Sequence, residues 1–118
     1  MSNRSFGAEG ETAARDYLTA RGIKVLEANY RRPTGEIDLI ARQGRTILFV
    51  EVKRRRTLRF GRPAEAVTPR KRQRIVRTAL LYLQEKRLMD CPVRFDIVEL
   101  TPGRINHIEA AFDASDVL

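Results

Sequence analysis

The chain is 118 residues long, 42% hydrophobic and 32% charged, with a formal charge of +8. That length suits one domain, residues 1–118, able to bury a core without staples, and the composition excludes a disordered tail. A single Cys, a single His and no Trp exclude a disulfide framework, a Cys- or His-rich metal site and a broad stacking platform for single strands, and leave little from which to build a Ser-His-Asp triad.

Residues 5–21 carry Phe6, Ala13, Ala14, Tyr17 and Leu18 at helical spacing and stop at Gly22. Residues 23–30 read as a strand, followed by a tip at 31–35. Residues 36–42 alternate, with Ile37, Leu39 and Ala41 on one face and Glu36, Asp38 and Ile40 on the other. Gln43-Gly44 is the expected turn, and the β-branched and aromatic run at 46–53 reads as a largely buried strand. An Arg-rich loop spans 54–63. Thr68 then caps a helix with Pro69 at its first position, and Ile75, Val76, Ala79, Leu80 and Leu83 form its apolar stripe. Strands at 93–98 and 105–112, joined by Pro102-Gly103, complete the order α-β-β-β-α-β-β, and 114–118 reads as a frayed tail. A helix after the third strand allows a parallel return, so a mixed central sheet flanked by helices is expected. Cys91 reads as a small packed hydrophobe.

The charge is concentrated. Residues 54–77 hold ten basic side chains against one acid, a net +9, whereas the other 94 residues carry 13 basic and 14 acidic groups, a net −1. A patch of one sign is self-repelling unless an anion covers it, and counterion release makes a nucleic acid its natural partner. Arg54, Arg55, Arg56, Arg59, Arg62, Arg70, Lys71 and Arg74 are the expected backbone contacts. The first turn of the second helix carries Arg70, Lys71 and Arg72 against its dipole, a conflict that a phosphate docked on the free N–H groups would resolve. No secretory signal or membrane span is expected, so the chain is expected in the cytoplasm and away from membranes.

A hairpin centred on Gln43-Gly44 would set Asp38 opposite Phe49 and Glu36 opposite Glu51. Glu36, Asp38, Glu51 and Lys53 would then project from one face, with Asp38 and Glu51 as diagonal neighbours. Glu51 lies between Val50 and Val52, where an unpaired charge is costly. A divalent cation held between the two carboxylates would relieve it, and oxygen-only ligands suit Mg²⁺ or Mn²⁺. The bland alternative is an internal salt bridge of Lys53 with Glu51 or Asp38. Metal, carboxylates, a Lys and a phosphate-binding surface together describe phosphodiester hydrolysis, with Lys53 orienting water or stabilising charge at phosphorus.

Asp38 followed by Glu51-Val52-Lys53 resembles the PD-(D/E)xK nuclease superfamily, whose core is α-β-β-β-α-β. Within it the chain is similar to the YraN-like bacterial endonucleases, which resemble archaeal Holliday-junction resolvases. The likeness runs through Gly10-Glu11 with Ala14 and Leu18, Asn29-Tyr30-Arg31, Gly35 to Ala41, Phe49 to Lys53 with Arg55, Phe60-Gly61, Pro63, Glu65-Ala66-Val67, Lys71, Arg94-Phe95-Asp96 and His107. It departs at Arg54, where a small polar residue is expected. The resemblance implies a restriction-endonuclease-like α/β fold and a metal-dependent DNA endonuclease, selective for branched or junction structures. It implies Asp38, Glu51 and the Val52 backbone carbonyl as metal ligands, Lys53 as catalytic lysine, and Glu11 as an added acid holding water at the metal. Glu9, the local rival, lies on a different helix face. Glu36 would brace a basic group, His107 reads as a hydrogen-bonded structural residue and Asp96 as an ion-pair partner. Junction resolution needs two active sites, which raises a homodimer; RNA is a rival to DNA. Two other classes of function compete: a non-catalytic nucleic-acid-binding accessory protein on the same fold, and a scaffold whose basic patch meets another protein.

Overall fold

The computed structural model describes residues 3–55 and 67–116. Much of the expected Arg-rich loop, including Arg56, Arg59 and Arg62, lies outside the described residues. The elements are α1 (Asn3–Ala20), β1 (Lys24–Arg32), β2 (Gly35–Gln43), β3 (Thr46–Arg54), α2 (Pro69–Glu85), β4 (Val93–Thr101) and β5 (Arg104–Phe112). A short 3-10 turn, Ala114–Asp116, stands where a frayed tail was expected. Asp113 holds it, its carboxylate accepting from Ser115 N at 2.8 Å and Ser115 Oγ at 2.9 Å.

The five strands lie in sequence order. β3 and β4 are parallel and every other pair is antiparallel. The sheet is therefore mixed, as expected, and α2 lies on the crossover between its parallel strands. α1 packs Ala14 and Leu18 with Leu39, Ala41, Leu48, Val50 and Val98. In the second core cluster, α2 packs Ile75, Val76, Ala79, Tyr82 and Leu83 with Ile40, Ile47, Phe49, Phe95 and Ile97. The helix starts as its sequence dictates: Pro69 stands in the first turn and Thr68 Oγ1 accepts from Lys71 N at 3.2 Å. Leu80 is only partly buried, and Tyr82 and Thr78 join the buried stripe in its place. Cys91 packs at the margin of the α2 cluster.

The β2–β3 register differs from the expected one by two residues. Gln43 pairs with Thr46 around Gly44-Arg45, and Leu39 pairs with Val50. Gly44 has φ 60°, and a two-residue hairpin readily takes such a Gly at its first central position. A two-residue shift keeps the parity, so Asp38 and Glu51 still meet, now level and not diagonal. Glu36 pairs with Arg31 of β1, not with Glu51.

A second difference concerns the faces of β1 and β2. Ile37 lies in the α2 cluster with Ile40, and not with Leu39 and Ala41. On β1, Ala28 packs at the α1 cluster while Tyr30 joins the α2 cluster. The alternation breaks at Asn29, which has φ 53°, a left-handed conformation that Asn tolerates better than most residues. Ala28 pairs with Leu39 and Tyr30 with Ile37, so Asn29 stands level with Asp38.

Candidate functional site

The break in alternation is where the two acidic strands converge. The β2–β3 pairing ends at Leu39–Val50. One step further, Asp38 Oδ2 accepts from the backbone N–H of Val52 at 2.8 Å, so a side chain replaces the ladder. Glu51 is buried, at 6% exposure. The Asp38 carboxyl group lies close enough to Glu51 to feel its charge. Burial, and then the charge of Glu51, push Asp38 up to about 7 against the opposing pull of the Val52 N–H and Lys71.

Two ammonium groups face this pair. Lys71, from the first turn of α2, forms a salt bridge to Glu51 Oε1. Burial lowers its affinity for a proton, but the hydrogen bond and charge of Glu51 and the charge of Asp38 outweigh this and hold Lys71 above the usual lysine value. Lys53, half-buried on β3, is lowered by burial and by the neighbouring charge of Lys71. The internal salt bridge to Glu51 thus comes from Lys71 and not from Lys53, which changes the reading of the α2 N-terminus. Of its three first-turn cations, Lys71 turns inward to Glu51 and Arg72 donates to the Val67 carbonyl at 2.8 Å. Arg70 is exposed.

The pair lies in a cleft of about 320 Å³ lined by Arg31, Arg32, Gly35, Glu36, Asp38, Glu51, Lys71, Arg74 and Ile75. Its hairpin wall is fixed to α2. Thr34 Oγ1 lies 2.7 Å from Thr78 Oγ1, which donates to the Arg74 carbonyl at 2.8 Å. Arg32 meets both oxygens of Glu85 at 2.9 and 2.8 Å. Gly35 has φ 152°, and a Cβ there would lie 3.2 Å from Thr78 Oγ1 and 3.4 Å from Arg74 Cβ, so only Gly fits this approach. Glu36 braces Arg31 at 3.1 Å.

Other expected site residues stand apart from the pair. Glu11 accepts from Asn29 Nδ2 at 2.7 Å and lies 3.8 Å from Arg15; it reaches the residue level with Asp38, not the carboxylates themselves. Glu9 pairs with Arg54 at 3.3 Å. Val52 contributes its N–H to Asp38. Arg55 lies 3.1 Å from the buried Glu99. Asp96 is buried and saturated: Arg94 donates to both its oxygens at 2.9 Å, His107 Nε2 lies at 2.8 Å and Ala110 N at 3.0 Å. Burial would raise Asp96, but the bonds from His107, Arg94 and Ala110 hold it below the usual carboxylate range. Both Asp96 and His107 are thus structural. Sequence reasoning named Asn29 and Lys71 within the family likeness but gave Asn29 no role at the site and Lys71 only a phosphate-contacting one. Beyond that likeness, Asn29 carried one signal, an Asn inside a strand.

Among the described residues, no group of three His, Cys, Asp or Glu side chains is placed to hold a metal ion. Two carboxylates opening on a cleft still fit a hard cation such as Mg²⁺, which keeps several waters and takes one or two protein carboxylates. They do not fit a closed zinc site.

Fold and cleft define an α/β protein, a five-stranded mixed sheet between two helices, with an acidic pair set in basic surroundings. Residues 10–100 match the family described as uncharacterised protein family UPF0102, and the chain belongs to that family. It is similar to a UPF0102 protein of Clostridioides difficile, 46% identical over 114 residues, spanning 95% of this chain and 100% of the relative. A relative in Thermodesulfovibrio yellowstonii is 44% identical over 112 residues, spanning 95% and 99%. One in Nocardia farcinica is 48% identical over 114 residues, spanning 92% and 90%.

Proposed function

We propose that this protein is a metal-dependent nuclease of restriction-endonuclease-like fold that hydrolyses nucleic-acid phosphodiester bonds, with Mg²⁺ or Mn²⁺ as cofactor and DNA as substrate. The observation that carries the reading is the convergence of half-buried Asp38 and buried Glu51 in a cleft walled by Arg31, Lys71 and Arg74. Two carboxylates crowded together in a partly desolvated cleft are a common mark of a functional site.

Asp38 and Glu51 would hold the cation. Bound there, it would neutralise charge on the phosphodiester and make water more acidic. Asp38 is aimed by the Val52 N–H. Lys53, kept less basic than usual by burial and Lys71, would orient the attacking water or stabilise charge at phosphorus. Arg31 and Arg74 would position the backbone without reading sequence. A branched or junction substrate belongs to the same proposal and would bring two copies of the site together in a homodimer.

One observation favours the non-catalytic accessory role: Glu11 is engaged by Asn29 and Arg15, not by the acidic pair. Cleavage of duplex, single-stranded, flap and junction DNA and RNA, with Mg²⁺ or Mn²⁺, decides between them. Lys53→Ala should abolish cleavage and leave affinity within a few-fold, because one Lys among many cations adds little to binding. Wild-type protein that binds these substrates and cuts none would establish the accessory role.

A further inference from the structure

Lys71 stands in the first turn of α2, its N–H capped by Thr68. This is where a capping box places Glu or Gln and where the helix dipole favours an acid. Lys71 instead crosses from the cleft wall to Glu51: its own side chain is 41% exposed and that of Glu51 7%. Asp38 and Glu51 face Lys53 and Lys71, so two formal negative charges meet two positive ones. A divalent cation added to a balanced set leaves an excess of positive charge unless one ammonium withdraws. Lys71 lines the open cleft beside Arg74, whereas Lys53 does not.

We infer that Lys71 is a displaceable counter-ion, which neutralises Glu51 in the arrangement described and yields that carboxylate to a divalent cation, a role that rests on the metal-dependent reading above. Once released, the ammonium shares the cleft with Arg31 and Arg74, where a substrate phosphate is its next partner. Metal and nucleic acid then bind with positive coupling, and the coupling is reciprocal. Lys71 is here a positioning residue that links α2 to the acidic pair.

The test is calorimetric titration of Mn²⁺ alone into wild type, Lys71→Met and Arg77→Met. Arg77 is an exposed cation of α2, so its variant matches the change in net charge. Lys71→Met should bind Mn²⁺ at least about ten-fold more tightly than Arg77→Met, as expected when a neighbouring unit charge leaves a partly desolvated site. Equal affinities in the two variants would overturn the role of Lys71. Wild type and Lys71→Met both failing to bind Mn²⁺ would overturn the metal-dependent reading itself. Should Lys71→Met be too unstable to titrate, thermal melts replace calorimetry. Mn²⁺ should then raise the melting temperature of Lys71→Met more than that of wild type, and an equal or smaller rise would overturn the role.

Discussion

Asp38 illustrates how one residue of a candidate site can oppose stability. Its carboxyl group is pushed up to about 7 by burial and by Glu51, above the value it has in an unfolded chain. The folded state therefore binds the extra proton, and stability falls as pH rises from about 4 to about 7 through this group. Asp38→Asn removes that slope. The amide oxygen still accepts from the Val52 N–H, and the amide N–H₂ donates to Glu51 where two like charges met. In divalent-free buffer at pH 8, Asp38→Asn should melt a few degrees above wild type, and the difference should shrink toward pH 5. Thermal denaturation across that range checks it; a variant less stable than wild type at pH 8 would mean that the ionised Asp38 does not oppose folding.

At the scale of elements, the β1–β2 hairpin and α2 are joined by contacts that leave no room for change. Gly35 approaches Thr78 and Arg74 with a backbone that L side chains rarely adopt. Gly35→Ala should therefore cost about 1–3 kcal/mol from strain and overpacking together, measurable by urea denaturation, and should move the wall of the cleft. The strands and helices themselves were legible, because Thr68-Pro69 and the stripe from Ile75 to Leu83 state where α2 begins and which side it buries. The register was not legible. Turns centred on Gln43-Gly44 and on Gly44-Arg45 both suit a Gly, and a slip of two leaves every hydrophobic residue on its proper face. The break at Asn29 was hidden for a related reason: Ile37, Leu39 and Ala41 alternate perfectly in sequence, and only the left-handed backbone of the neighbouring strand shows that Ile37 turns the other way. The acidic pair was legible from its chemistry, whereas the inward reach of Lys71 was not, since a cation at a helix start reads equally well as a phosphate contact.

Over the whole molecule, the +8 charge divides into cations with internal work and cations facing solvent. Lys71 and Arg72 have internal partners, and Arg94 serves Asp96. Arg70 and Arg74 are exposed and have no ion-pair partner among the described residues. If both meet phosphates, Arg70→Ala with Arg74→Ala should weaken binding to all sequences alike and flatten the log–log salt dependence by about two units. Fluorescence anisotropy over a salt series measures it, and an unchanged slope would place the nucleic-acid path elsewhere. No helix among the described residues is long and apolar enough to cross a membrane.

The parallel seam between β3 and β4 has a consequence in time. Asp38 and Glu51 come from one hairpin, complete once β3 has formed, while Lys71 belongs to the helix beyond it. During synthesis from the N-terminus, the two acids and Lys53 leave the ribosome before Lys71. A nascent chain ending ahead of α2 carries the acidic pair with only one of the two ammonium groups that face it. The same helix that delivers the counter-ion also bridges the antiparallel meander of β1 to β3 to the returning strand β4. The segment that carries Lys71 to Glu51 is thus also the crossover that lets β4 run parallel to β3.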